Sequence, residues 1–78
     1  MAGVKVLYFA SLRELLDQSG AEIDAVDGMT VAQLWLALNP SVAVPENCLV
    51  AINQNYAEWN AVVSDGDEVA FFPPVTGG

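Results

Sequence analysis

The 78 residues suffice for one domain at most. Ten acidic side chains stand against Lys5 and Arg13, a formal net charge of −8. That balance excludes a nucleic-acid binder and a binder of anionic membranes, which need clustered Lys and Arg. Cys48 is the single cysteine and there is no histidine. An internal disulfide, a Cys–His zinc site and an imidazole-based triad are therefore excluded. The apolar share, 54%, exceeds what so small a domain can hide, so part of it lies exposed, and a contiguous exposed patch marks a binding surface. No basic start with a long apolar stretch opens the chain, and no segment approaches membrane-spanning length; the expected location is the cytoplasm.

Val4-Lys5-Val6-Leu7-Tyr8-Phe9 is β-branched and aromatic, with one charge, and reads as a central strand covered on both faces. Ser11 is the expected N-cap of a short helix of about two turns, with Glu14 completing a capping box and Gly20 as the stop. Leu12, Leu15 and Leu16 supply its apolar face. Ala21 to Val26 alternates Glu22 and Asp24 with Ala21, Ile23 and Ala25, the pattern of a half-exposed strand. Asp27-Gly28 is a turn, and Thr30 caps a second helix. Val31, Leu34, Trp35 and Leu38 then fall at i, i+3, i+4 and i+7, so one face is apolar and Trp35 anchors it in the core. Asn39-Pro40 ends this helix, because proline disfavours helical geometry in the residue before it.

Residues 41–47 form a loop, Leu49-Val50-Ala51-Ile52 a buried strand and Asn53-Gln54-Asn55 a polar turn. Tyr56 and Trp59 lie where the signals are mixed. Ser64-Asp65-Gly66-Asp67 is a strong turn, and Glu68 to Phe72 is the last strand. This order predicts an α+β chain of β-grasp type: a mixed four- to five-stranded sheet, one main packing helix and a short additional helix. The first and last strands form its parallel central pair.

Two candidate constellations remain. Asp65, Asp67 and Glu68 flank a turn glycine without the ligand number of a calcium loop, and read as turn chemistry. Cys48 has no cationic neighbour in sequence to activate it and reads as an ordinary, partly buried thiol. The tail carries more. Pro73-Pro74 cannot extend a hydrogen-bonded ladder and holds a stiff, extended geometry. Division into a 1–72 domain and a 73–78 tail follows. Six extended residues reach about 20 Å, enough to enter a deep pocket of another protein. Gly77 and Gly78 can thread a channel too narrow for other residues. An ionised carboxylate at Gly78 can attack the α-phosphate of ATP when an enzyme aligns them, and the acyl-adenylate can be displaced by sulfur.

Val6-Leu7-Tyr8-Phe9-Ala10 with Leu12-Arg13-Glu14, Ala51-Ile52-Asn53-Gln54, and the whole ending Asp65 to Gly78 resemble the small subunit of molybdopterin synthase. The resemblance is specific over residues 4–14 and 49–78; between them only Thr30-Val31-x-x-Leu34 carries it. It implies a ubiquitin-like β-grasp fold and a sulfur carrier of molybdenum cofactor synthesis, not an enzyme by itself. A ubiquitin-activating-like adenylyltransferase would adenylate Gly78, and a persulfide source would convert it to a thiocarboxylate. The tail would then enter the large subunit of a heterotetrameric synthase and pass sulfur to cyclic pyranopterin monophosphate. Gly77 and Gly78 are thus the reacting end, and Phe72, Pro73, Pro74, Val75, Thr76 and Tyr56 map to the large-subunit contact. Phe9 and Arg13 map near the contact with the activating enzyme. No cofactor or metal is expected on the chain; ATP and the persulfide serve its partners. The alternatives are the sulfur carrier of thiazole synthesis or another ubiquitin-like carrier, which usually lack Phe-Pro-Pro before Gly-Gly, and an acidic interaction module with an inert tail.

Overall fold

A computed structural model describes residues 3–24, 26–45 and 47–74. Ala25 of the expected second strand and Val75, Thr76, Gly77 and Gly78 of the tail lie outside the described residues. Seven elements follow in order: β1 Val4–Tyr8, α1 Ser11–Leu16, β2 Gly20–Ile23, α2 Val31–Leu38, β3 Leu49–Ile52, β4 Asn55–Ala57 and β5 Glu68–Phe72. They build one mixed sheet in the order β2-β1-β5-β3-β4. Only β1 and β5 run parallel, with Val6 beside Val69 and Tyr8 beside Phe71. The expected parallel pair at the sheet's middle is present, and the architecture is the β-grasp.

Alternation along the strands sorts side chains between two faces. Val4, Val6 and Tyr8 of β1, Val50 of β3, and Val69 and Phe71 of β5 are buried on one of them. Against them α2 lays Val31, Leu34 and Trp35, all fully buried, and α1 adds Leu12. Phe71 is the hub of this core: Trp35 meets it edge-on at 5.2 Å, and Trp59 and Tyr8 stack on it at 5.5 and 6.0 Å. Fully burying one side chain of this size stabilises by about 1.5–3 kcal/mol. The polar atoms of the cluster find partners. Trp35 Nε1 donates to the Val42 carbonyl at 2.8 Å, and buried Asn39 donates from Nδ2 to the Tyr8 hydroxyl at 3.2 Å.

Helix α2 begins as its sequence asks and then adds to it. Thr30 accepts from the Gln33 N–H at 3.2 Å, while Gln33 Oε1 accepts from the Thr30 N–H at 2.9 Å, a complete capping box. The N–H groups of Val31 and Ala32 donate to the Ala61 and Trp59 carbonyls, so the helix start is tied to the crossing segment before β5.

Five local expectations need correction. The α1 capping box is absent, because Ser11 is the first helical residue and Ala10 is the N-cap, with no side-chain cap bond. Ala10 has φ 53° and ψ −126°; this sharp exit from β1 starts the helix one residue early and leaves Ser11 past the capping position. It also ends β1 at Tyr8, not Phe9. The helix stop is Asp17 in the left-handed region, while Gly20 already belongs to β2. A Cβ at Gly20 would lie 2.5 Å from the Val6 carbonyl oxygen, so close strand approach, not helix termination, demands the glycine. Asn55 opens β4, a strand not recognised in the mixed stretch; Asn53 and Gln54 alone make the turn, both at positive φ as a two-residue hairpin requires. Finally, β1 and β5 are not covered on both faces: both helices pack on the Trp35 side, and the other face carries exposed Lys5 and half-buried Leu7, Glu68, Ala70 and Phe72.

Trp35→Ala should cost about 3–5 kcal/mol in urea unfolding, and Thr30→Ala about 1 kcal/mol. A Trp35→Ala loss below 1 kcal/mol would show that the aromatic cluster is not what holds α2 to the sheet.

Candidate functional site

The uncovered sheet face is where the site residues gather. Register places Leu49 beside Phe72, Ala51 beside both Ala70 and Tyr56, Leu7 beside Ala70 and Gly20, and Lys5 between Glu22 and Glu68. Odd and even positions alternate between faces, so all of these share the side opposite Phe71. Tyr56, 78% exposed, leans diagonally across β3 to meet the Phe72 ring at 5.9 Å. Phe9 follows β1 by one residue; its N–H donates to the Phe71 carbonyl at 3.1 Å, which sets it alongside Phe72. Phe9, Phe72 and Leu49 thus make an apolar row at the edge from which the chain leaves β5.

Phe72 is the last laddered residue, because Pro73 has no N–H to offer β3 or β1. Pro73 and Pro74 are half-buried and outside the sheet. The strand leading to residues 75–78 is therefore held by β1 as far as Phe71 and by β3 as far as Phe72. Of the expected contact residues, Phe9, Tyr56 and Phe72 come together, with Pro73 and Pro74 continuing from them. Arg13 does not join: it is exposed on α1, which packs through Leu12 on the core side. Leu7, Leu49, Ala51 and Ala70 belong to this face and escaped the sequence reading. Period-two alternation from Phe72 backwards through Ala70 and Glu68 was the signal that would have found them.

Cys48 adjoins the same strand end. It is 7% exposed, and its Sγ lies 3.7 Å from the Leu49 carbonyl oxygen. Burial pushes the thiol above its ordinary value of 9.0, opposed in part by a hydrogen bond with the Phe72 backbone. The acidic turn serves the fold, as expected. Asp67 Oδ2 accepts from the Ser64 N–H at 2.9 Å and Oδ1 from Asn53 Nδ2 at 3.0 Å, while Asn53 Oδ1 accepts from the Glu68 N–H. These bonds clamp the β3–β4 turn to the start of β5. Among the described residues no group of three or more His, Cys, Asp or Glu could hold a metal ion, and no helix is long and apolar enough to cross a membrane.

A β-grasp sheet with one bare apolar face, and a central strand running out through Pro-Pro, defines a ubiquitin-like protein. The chain belongs to the ThiS family, whose sequence model matches residues 6–78, and within it to the molybdopterin synthase sulfur carrier subunits. It is 42% identical to the molybdopterin synthase sulfur carrier subunit of Escherichia coli, covering 96% of this chain and 99% of that one. The small archaeal modifier protein 1 of Haloferax volcanii shares the fold, with TM-score 0.79, 24% identity and coverage of 96% of this chain and 100% of that one. Subunit 1 or 2 of the Helicobacter pylori molybdopterin-converting factor, seen as a complex of the two, matches with TM-score 0.67 and 25% identity, over 97% of this chain and 99% of that one.

The folded state keeps the Cys48 proton where the unfolded chain loses it. This contribution to stability is complete below the unfolded thiol pKa and is lost as pH rises through the folded value. At pH 8 an aromatic disulfide reagent should react with native Cys48 at least about tenfold more slowly than with the urea-unfolded chain. Equal rates would place the thiol at the surface.

Proposed function

We propose that this protein is the sulfur carrier of a molybdopterin synthase, with Gly78 as the reacting residue. The observation that carries this reading is β5: a strand paired with β1 as far as Phe71 and with β3 as far as Phe72, followed in sequence by Pro73-Pro74 and Gly77-Gly78. Kinship with sulfur carrier subunits at 42% identity supports it and favours this pathway over thiazole synthesis.

In this reading an adenylyltransferase positions the Gly78 carboxylate on ATP; a carboxylate oxygen bonds to the α-phosphorus and pyrophosphate leaves. The terminal sulfur of a persulfide then attacks the acyl carbon, AMP leaves, and a thiol cleaves the resulting acyl disulfide to release the thiocarboxylate. Nothing in this sequence demands a pocket, base or metal on the carrier itself. Its own contribution is presentation. The chain docks through Phe72, Tyr56 and their neighbours, and residues 73–76 span into the partner's site. There the loaded Gly78 gives its sulfur to cyclic pyranopterin monophosphate. A dithiolene has two sulfurs, so two loaded carriers serve each product, in keeping with a heterotetramer of two small and two large subunits. ATP supply and reduced sulfur put the reaction in the cytoplasm. Phe9, beside Phe72, extends the contact offered to the activating enzyme, while Arg13, exposed on α1, would meet that enzyme apart from this face.

With the adenylyltransferase, ATP and a persulfide donor, intact-mass spectrometry should show the adenylate and then one sulfur-for-oxygen exchange confined to the last residue. Deleting Gly77-Gly78 should abolish both while leaving the urea midpoint unchanged. Dithiolene formation by the truncated chain would end the proposal. Phe72→Ala should weaken large-subunit binding at least about tenfold by calorimetry, as loss of a central aromatic anchor does.

A further inference from the structure

From Gly28 to Pro45 the chain carries no charged residue, although ten acids and two cations crowd the rest. That stretch holds the whole of α2 and the loop after it. One side of α2 is occupied: Val31, Leu34 and Trp35 are fully buried in the core. The other side shows Gln33, Leu36 and Ala37 to solvent, Leu36 with 60% of its surface exposed. Trp35 Nε1, bonded to the Val42 carbonyl, ties the loop to the helix, and exposed Pro40 and Val44 continue the strip. A helix at a protein surface ordinarily turns charged residues outward, and one that is apolar all round is a covered one. Gln33 is the one hydrophilic residue of α2, and its Oε1 is engaged in the capping box. The outer side of α2 therefore has the composition of a buried surface and the exposure of an open one.

We infer that this strip is where two copies of the chain meet, α2 against α2 across a twofold axis beside Ala37. Charge selects the occupant. Each copy brings a net charge of −8, so contact through most of the surface sets carboxylate against carboxylate. The bare sheet face offers Glu22 and Glu68, the turns Asp27 and Asp65, and α1 with its stop Glu14 and Asp17. The strip has no carboxylate of its own, so like-charged chains can meet there, and a basic partner would find nothing on it to pair with. A twofold contact is self-complementary. With the helices antiparallel their dipoles oppose favourably, and Ala37 of each copy leaves room for Leu36 of the other. Gln33 Nε2, left over from the cap, faces the last turn of the other helix, whose carbonyls need donors. An eight-residue helix is only about 12 Å long, so the contact stays below the size of a standard interface and the dimer is weak and reversible. The contact does not depend on the carrier reading. Since α2 packs on the side of the sheet opposite Phe72, both bare faces stay open, and where that reading holds the pair is a carrier with two loadable ends.

The test is sedimentation equilibrium of the full chain from about 20 µM to about 2 mM, a range that brackets a weak transient contact, in low and in high sodium chloride. The mass should climb from the monomer's 8.3 kDa toward twice that value. High salt should strengthen the association at least about threefold, because it screens the residual repulsion between two acidic chains. Ala37→Glu sets two carboxylates face to face and should weaken it at least about tenfold. Tyr56→Glu, on the bare face, should leave it within about twofold. Urea midpoints establish that the variants are folded. Amide shifts of the unaltered chain on dilution, expected at residues 33, 36 and 37 and absent at 51, 56 and 70, decide the matter without any variant. A mass fixed at 8.3 kDa over the whole range overturns the inference. So does a dimer that salt weakens, that folded Ala37→Glu leaves intact, or whose amide shifts fall at 51, 56 and 70. Each of these results leaves sulfur loading at Gly78, which is read separately by mass, standing.

Discussion

Phe71 and Phe72 are adjacent residues on the central strand, and pleating sends them to opposite faces. Phe71 becomes the hub on which Trp35, Trp59 and Tyr8 converge; Phe72 becomes the outward aromatic at the strand's end. A slip of one residue in the register of β5 would exchange them, exposing the hub and burying the contact residue. The rest of the fold can be understood as insurance against that slip. β1 and β3 hold β5 from both sides, and the Asn53–Asp67–Ser64 bonds fix where it begins. Stability and presentation of the tail are thereby the same problem, solved by one alternation.

One helix-covered face is all that a chain of this size can complete. α2 and α1 bring their apolar residues to the Phe71 side, and among the described residues no other element covers the Phe72 side. Part of the surplus apolar composition thus gathers on this face at Phe9, Tyr56 and Phe72, while Leu15, Val26, Leu36, Val44 and Val62 are exposed elsewhere. Small residues in its middle row give that face a shape, and the Glu22–Lys5–Glu68 row gives it an edge of defined charge. A surface with both features can favour one partner orientation over others, because apolar fit and charge must be satisfied together.

Much of the architecture was visible in the chain. Val31, Leu34, Trp35 and Leu38 identify the packed helix by spacing, and the apolar ends of the chain identify the central strand pair. The candidate site was visible at Phe72 and the proline pair, because proline announces where a ladder stops. Other features were not. β4 is three residues long at a sheet edge, too short for its alternation to stand out. Ala10 adopts a backbone conformation that its side chain does not advertise, so the helix start was misplaced. The bare face was misread as covered, since Leu7, Ala70 and Phe72 are as apolar as buried residues, and hydrophobicity alone cannot tell a core from an interface.

Local chemistry, then, settled what could be settled residue by residue: helix periodicity, capping at Thr30, turns at glycine, and the end of pairing at Pro73. These depend on interactions within a few positions along the chain. Tertiary structure alone decided which apolar residues face the core and which face a partner, and that Phe9, Tyr56 and Phe72 share one surface. Those outcomes depend on pairing between strands far apart in sequence, whose register is chosen by the whole sheet packing at once.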